Sequence, residues 1–175
     1  GGPFRTSWES DAVLAAAHEA MGDFLNARSA REIVMGPNMT SLTFQFSRSI
    51  GRDLAAGDEI LITRLDHDAN RAPWQALAEK GVIIREVDFN PADCTLRMDE
   101  LASLLRPRTR LVAVGYASNC VGTINPIAQI AEMAHSAGAW LWVDAVHYAP
   151  HGSIDVQALG CDFLVCSSTI FKYVG

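Results

Sequence analysis

Short apolar runs alternate with longer amphipathic segments along most of the chain. Six runs have the length and the β-branched content of strands: 32–35, 59–62, 82–87, 110–114, 140–143 and 163–165. Five segments before or between them have helical patterns: 11–25, 39–54, 70–80, 98–105 and 127–137. This alternation indicates a parallel sheet, and runs that are apolar on both faces indicate helices on both sides. We predict an α/β fold, a doubly wound, mostly parallel sheet of about six strands with helices on both faces.

The composition is that of one globular domain, with 175 residues of which 49% are hydrophobic. The net charge of −6 and the scattered arginines give no basic surface, so we expect no nucleic-acid partner. No apolar run is long enough to cross a bilayer, and the first residues lack the order of a signal peptide. We therefore expect a cytoplasmic protein without a membrane partner.

The four cysteines form no CxxC pair, and two of them lie in or beside an apolar strand. We interpret them as buried, reduced thiols, in preference to disulfides or zinc ligands, and we predict no metal site. They are Cys94, Cys120, Cys161 and Cys166.

In a doubly wound sheet, ligands bind beyond the carboxyl ends of the strands, and polar residues follow several predicted strands here. The segment 36–41 leads into a helix whose N-terminal N–H groups and dipole favour a phosphate. The alternative is that Asn38 only caps that helix.

In the cluster 66–70, the ring of His67 could stack on a flat cofactor. Alternatively, Asp68 or Asn70 caps the next helix and His67 is merely exposed, and metal ligation is a weaker third choice.

The segment 115–123 follows the fourth predicted strand and consists mostly of small residues that allow a ligand to approach closely. The amide of Asn119 could bind a ring hydroxyl or a substrate carboxylate. The alternative is an Asx-turn at Asn119. Cys120 has no nearby positive group to activate it, so we expect it to be a packing residue.

Asp144 ends a strand after five apolar residues, and an ionised carboxylate there needs a cationic partner to offset its desolvation. A protonated pyridine nitrogen would supply that charge, and His147, shortly after it, could reach the ring hydroxyl. The alternative is a helix cap or a local salt bridge.

Beyond the last predicted strand, Ser167 offers a hydroxyl for a phosphate, and Lys172 offers an amine for a Schiff base. Lys172 could also be an exposed lysine near the chain end.

Five stretches together carry a family resemblance, and they occur in the family's order: 36–42, 66–74, 118–123, 143–147 and 172–175. The chain resembles the class V aminotransferase family, the cysteine-desulfurase-like branch of the fold-type-I pyridoxal-phosphate enzymes. The resemblance implies pyridoxal phosphate as the cofactor, a small amino acid as the substrate, and a homodimer or a complementing chain as the assembly. It implies that the chain, residues 1–175, is a single truncated large domain that binds this cofactor and lacks the small C-terminal domain.

The resemblance also implies a role for each residue of the site. The cofactor-binding residues would be Asn38, Met39, His67, Asn119, Asp144, His147, Ser167 and Lys172. Among them, Lys172 would be the Schiff-base lysine and proton shuttle, and His67 would stack on the ring and relay protons. These two would be the catalytic residues.

Two features depart from the family pattern. Family members place the lysine about three residues after the phosphate-binding serine, whereas Ser167 and Lys172 are five apart, so that Ile170 occupies the usual lysine position unless the segment bulges. Family enzymes also continue for about as many residues again.

Two functions follow from this interpretation. The first is a pyridoxal-phosphate enzyme of the cysteine desulfurase type, with a desulfurase, lyase or transaminase outcome. The alternative is a catalytically inactive, truncated homologue that serves as a binding or scaffolding subunit. A generic nucleotide-binding domain is disfavoured because no GxGxxG or GxxxxGK[ST] motif follows a predicted strand.

Overall fold

The computed structural model describes residue 2 and residues 4–167. Within this part of the chain, five parallel strands form one sheet in the order β2-β1-β3-β4-β5. The strands are β1 Glu59–Thr63, β2 Ile83–Val87, β3 Thr109–Gly115, β4 Trp140–Asp144 and β5 Phe163–Val165. The chain runs outward from β1 to β2 and then returns past β1 to β3. This reversal creates a topological switch point between β1 and β3, where doubly wound proteins bind ligands.

In the described part of the chain, six α-helices connect the strands or precede them: α1 Arg5–Leu25, α2 Met39–Ile50, α3 Ala72–Gln75, α4 Met98–Leu104, α5 Ile127–Ser136 and α6 Val156–Leu159. The same residues include three short 3₁₀ helices, at Ala30–Glu32, Asp68–Asn70 and Ala76–Lys80. Among the described residues, no helix combines the length and the apolar character that a membrane span needs.

The predicted strand at 32–35 is wrong, which is why the sheet has five strands instead of about six. The Ser29 hydroxyl accepts a hydrogen bond from the Arg31 amide and begins the 3₁₀ helix at Ala30–Glu32. Val34 and Met35 follow it as exposed residues in irregular backbone. A hydroxyl that bonds the local backbone competes with strand pairing, and the three apolar residues Ile33, Val34 and Met35 did not overcome it.

The predicted helix at 70–80 is also divided, into α3 and a 3₁₀ helix. The other helices lie where the pattern predicts them, although α1 begins at Arg5 instead of residue 11 and α2 ends at Ile50 instead of residue 54.

The sheet is covered on both faces, as predicted. One face packs against α4 and α5 through buried residues that include Leu61, Val112, Leu141, Leu101 and Ile130. The other face packs against α2 and α3 through buried residues that include Ile60, Leu111, Trp142, Ile50 and Trp74. The predicted doubly wound α/β fold is therefore confirmed.

Ion pairs fix the amino edge of the sheet. The guanidinium of Arg85 donates two hydrogen bonds of 2.8 Å to the carboxylate of Glu59, and these bonds hold the pKa of Glu59 below its usual value. The Ala55 amide donates to Asp58 at 2.9 Å and lowers the pKa of that carboxyl group, assisted by Arg110 and Arg108. Because β1 and β2 are anchored at this edge, their carboxyl ends are held in a fixed position at the other.

Candidate functional site

Three strands end side by side at the carboxyl edge of the sheet. In the β3–β4 pair, Gly115 lies opposite Asp144, and in the β4–β5 pair, Asp144 lies opposite Val165. The loops after β1 and β3 meet at the same edge, because the carboxylate of Asp66 accepts a hydrogen bond from the Gly115 amide at 2.7 Å. The carboxyl edge therefore brings Asp66 and Gly115 together at the switch point between β1 and β3, with Asp144 paired next to Gly115.

Asp144 is buried at the end of β4, with 9% of its surface exposed. Its Oδ1 accepts a hydrogen bond from the Val146 amide at 2.9 Å. Burial raises the pKa of Asp144 to about 6, against the lowering effects of the Val146 amide and the positive charge of His67. The Val146 contact is the local cap that the sequence left open as an alternative. A desolvated carboxylate at the end of a strand favours a cationic ligand group.

His67 is exposed, and its Nδ1 accepts a hydrogen bond from the Ala69 amide at 3.0 Å. His67 itself therefore caps the 3₁₀ helix that follows β1, in place of the predicted Asp68 or Asn70. Asn70 is fully buried instead and donates to Asp66 Oδ2 at 3.2 Å. The charge of His67 lowers the pKa of Asp144, so these two predicted site residues lie within electrostatic range of each other.

Asn38 caps α2, because its side-chain oxygen accepts a hydrogen bond from the Ser41 amide at 2.8 Å. The capping interpretation is thus confirmed. The side chain of Met39 is buried in the core on the α2 side of the sheet, so that only its backbone can serve a ligand at the helix N-terminus. A role for Asn38 and Met39 in phosphate binding stays a prediction.

A cavity of about 640 Å³ lies between the end of α1, the segment before α2 and the end of β5. Asn38, Cys166 and Ser167 line it. The structure thus brings Asn38 and Ser167, two of the predicted phosphate-binding residues, to one cavity. Lys172 and Ile170 lie outside the described residues. The structure therefore does not test the five-residue spacing between Ser167 and Lys172.

A second cavity, of about 400 Å³, holds two further predicted site residues. Asn119 and His147 line it together with Ser118, Tyr148 and His151. The turn at 118–120 is stabilised by Ser118, whose hydroxyl accepts a hydrogen bond from the Cys120 amide at 3.3 Å. Asn119 is exposed on this turn. Cys120 is exposed as well, so the expectation that it is a buried packing residue is wrong, because the turn projects from the fold.

Asp66 is the residue of this edge to which the sequence assigned no function. Loss of hydration raises the pKa of Asp66 to about 7, against the hydrogen bonds from the Gly115 amide and the Asn70 side chain, while the nearby charge of Asp144 raises it further. The available signal was its position, since Asp66 follows a fully buried strand much as Asp144 does. The sequence alternatives for the segment 66–70 concerned only His67, Asp68 and Asn70.

The fold defines a doubly wound α/β protein with a candidate ligand site at the carboxyl ends of its strands. The chain belongs to the aminotransferase class-V family, whose model matches residues 3–172. The predicted family resemblance is therefore confirmed.

Individual relatives agree with this assignment. A cysteine desulfurase from Enterobacter sp. (strain 638) is 47% identical over 146 residues, which cover 82% of this chain and 36% of that protein. A cysteine desulfurase from Klebsiella pneumoniae (strain 342) is 42% identical over 163 residues, which cover 92% and 40%.

Two solved structures have the same fold. The cysteine desulfurase CsdA from Escherichia coli superposes with a TM-score of 0.85 at 31% identity, over 95% of this chain and 42% of that one. The apo cysteine desulfurase from Thermococcus onnurineus NA1 gives a TM-score of 0.88 at 28% identity, over 95% and 41%. The chain thus spans roughly two-fifths of the length of the relatives it matches.

Proposed function

We propose that this protein is a pyridoxal-phosphate-dependent enzyme of the cysteine desulfurase type, which acts on a small amino acid. The observation that carries the proposal is the buried carboxylate of Asp144 at the carboxyl edge of the sheet, in a chain of the aminotransferase class-V family. The names of the similar proteins, which are cysteine desulfurases, support the same proposal.

The residues of this edge fit this cofactor. Asp144 offers a desolvated carboxylate, the partner that a protonated ring nitrogen needs. The N-terminus of α2 offers backbone N–H groups and the positive end of a twelve-residue helix, which suit a phosphate. The protonated ring nitrogen and the phosphate dianion of this cofactor therefore both have complementary partners on this chain.

We assign the remaining contacts by residue type and position. His67 provides a flat ring within electrostatic range of Asp144 and would stack on the cofactor. Asn119 and His147, which share one cavity, would contact the ring hydroxyl or the substrate carboxylate. Ser167 would bind the phosphate together with Asn38 and Met39. Lys172 would hold the cofactor covalently through its side-chain amine.

When bound, pyridoxal phosphate supplies an electron sink for negative charge that develops at the α-carbon of an amino acid. The chain has to keep that sink effective. Asp144 does so by holding a proton at the ring nitrogen, since an ionised carboxylate stabilises the protonated form of a neighbouring base. His67 and Lys172 would accept and return protons near the α-carbon.

The substrate is tested by supplying L-cysteine to the chain saturated with pyridoxal phosphate, in the presence of a thiol reductant. We expect alanine and sulfide in equal amounts, because the thiol reductant, which is oxidised to its disulfide, supplies the two electrons that release the sulfur as sulfide and leave the carbon skeleton as alanine. Pyruvate would indicate a lyase, and amino-group transfer to an added keto acid would indicate a transaminase. If none of these products forms above a cofactor-only control, the alternative of an inactive binding or scaffolding subunit is correct.

We also propose that two copies of the chain pair as a homodimer in the cytoplasm. The support is apolar surface on α1, where Trp8 and Val13 are 64% and 69% exposed. Exposed side chains of this kind are typical of a surface that another chain covers.

A further inference from the structure

Asp66 connects the loop after β1 to the end of β3. Its Oδ1 accepts the Gly115 amide at 2.7 Å, and its Oδ2 accepts the Asn70 side-chain amide at 3.2 Å. The contact with Gly115 leaves no space for a side chain, because a Cβ on Gly115 would lie 2.8 Å from Asp66 Oδ1. Asp66 thus holds the backbone of β3 in place at the switch point. β3 pairs directly with β4, the strand that carries Asp144.

The contact between Asp66 and Gly115 is linked to Asp144 through hydrogen bonds of the backbone. The carbonyl oxygen of Gly115 accepts a hydrogen bond from the side chain of the buried Asn125 at 2.8 Å, so both polar groups of Gly115 are fixed by side chains. The next residue, Tyr116, donates its amide to the carbonyl oxygen of Asp144 at 2.8 Å. Displacement of Gly115 would therefore displace the backbone that carries the Asp144 carboxylate.

The two carboxyl groups also interact through charge, since the ionised Asp144 raises the pKa of Asp66. The other titratable groups facing the pair are His67, which lowers the pKa of Asp144, and the Cys166 thiol after β5, whose own pKa is raised by burial and by Asp144. Two carboxylates in one desolvated site cannot both ionise easily. His67 favours ionisation of Asp144, so Asp144 loses its proton first.

We propose that Asp66 is a positioning residue of this edge, which fixes the backbone that carries Asp144 through its contact with Gly115. The ligand concerned is the one that Asp144 would bind. The proposal rests on the proposed function only for the identity of that ligand, because the pairing of the two carboxyl groups belongs to the chain itself.

The pairing is tested without cofactor, by following the ¹³C shifts of the carboxyl carbons of Asp66 and Asp144 against pH. In Asp144→Asn, we expect the apparent pKa of Asp66 to fall by about one unit, because the like charge is gone. In Asp66→Asn, the pKa of Asp144 should stay within about half a unit, since Asp144 titrates while Asp66 is still neutral. The exposed Asp53→Asn is the control and should change neither. Unchanged titration of Asp66 in Asp144→Asn would overturn the proposal.

The positioning role is tested by the affinity of each variant for pyridoxal phosphate. Asp66→Ala should bind roughly tenfold more weakly, because the buried Gly115 amide loses its acceptor and β3 can shift. Asp66→Asn keeps one oxygen that can accept the Gly115 amide, and its NH₂ group can donate to the Asn70 side-chain oxygen once the Asn70 amide rotates. This variant should bind within about threefold of the wild type. Equal binding by Asp66→Ala and the wild type would contradict the proposal, as would an Asp66→Asn variant as weak as Asp66→Ala.

The two hypotheses fail in different ways. If the wild type does not bind pyridoxal phosphate, the proposed function is wrong, and the carboxyl titration still decides whether Asp66 and Asp144 act as a pair. If the wild type binds and the titrations are independent, the proposed function stands and the role of Asp66 is wrong.

Discussion

Replacement of Asp144 with asparagine is expected to weaken the binding of pyridoxal phosphate by roughly 10²- to 10³-fold. The variant removes the carboxylate from a buried pair and leaves the protonated ring nitrogen without its partner, a loss typically of about 3–5 kcal/mol. Asparagine has nearly the same shape, and its side-chain oxygen can still accept the Val146 amide. The dissociation constant is measured from the visible absorbance of the bound cofactor.

The stability of the Asp144→Asn variant shows whether the variant has lost only this site or the whole fold. Burial raises the pKa of Asp144 to about 6, above its ordinary value of 3.8. A carboxyl group with a raised pKa stabilises the fold while it is protonated, and that stabilisation is lost as the pH rises through about 6. At pH 7 the Asp144→Asn variant should therefore unfold at a denaturant concentration no lower than the wild type. The exposed Asp68→Asn is a matched control and should bind the cofactor normally. Normal binding by Asp144→Asn would contradict the assigned role.

Replacement of Trp142 with alanine is expected to lower the free energy of unfolding by about 3–5 kcal/mol. Trp142 is 2% exposed at the centre of the core on the α2 side of the sheet. Its ring contacts the rings of Phe46, Trp74 and Phe163, with centroids 5.3–5.9 Å apart. Because rigid aromatic rings close poorly around a vacated volume, most of the cavity should remain. Equilibrium urea denaturation measures the change.

Trp140 provides the control for this substitution within the same strand. It lies two residues before Trp142, on the same face of β4, but 43% of its surface is exposed. It contacts Phe163 at a centroid distance of 5.9 Å. Trp140→Ala should lower the free energy of unfolding by less than Trp142→Ala does, by about 1–2 kcal/mol, because 43% of its surface is already hydrated. Equal losses from the two tryptophans would show that the core does not centre on Trp142.

The strands from β1 to β5 could be predicted from the sequence because each is a short, mostly apolar run that is bounded by polar turns. The failed strand at 32–35 has a similar composition and length. What distinguishes it is a local contact, the hydrogen bond between Ser29 and the Arg31 amide. Apolar patterns report which residues avoid water, and they do not report whether a hydroxyl group competes for the backbone.

The candidate site was predictable to a different degree for each residue. Asp144 could be found because a lone carboxylate after five apolar residues is unusual and costly. The function of Asp66 could not, because it depends on contact with Gly115, which lies 49 residues further along the chain. The roles assigned to His67, Asn119, His147 and Ser167 stay predictions. The structure adds where they lie, with His67 within electrostatic range of Asp144 and the others lining two cavities.

Titration of the purified chain with pyridoxal phosphate, followed by borohydride reduction and peptide mapping, tests the central claim most directly. Reduction fixes the cofactor to the lysine that holds it, and the chain has only two candidates, Lys80 and Lys172. We expect a visible absorbance band that saturates at one cofactor per chain, with the label confined to Lys172. The absence of a band, or label spread over Lys80 and the N-terminus, would contradict the proposal that this edge of the sheet binds pyridoxal phosphate.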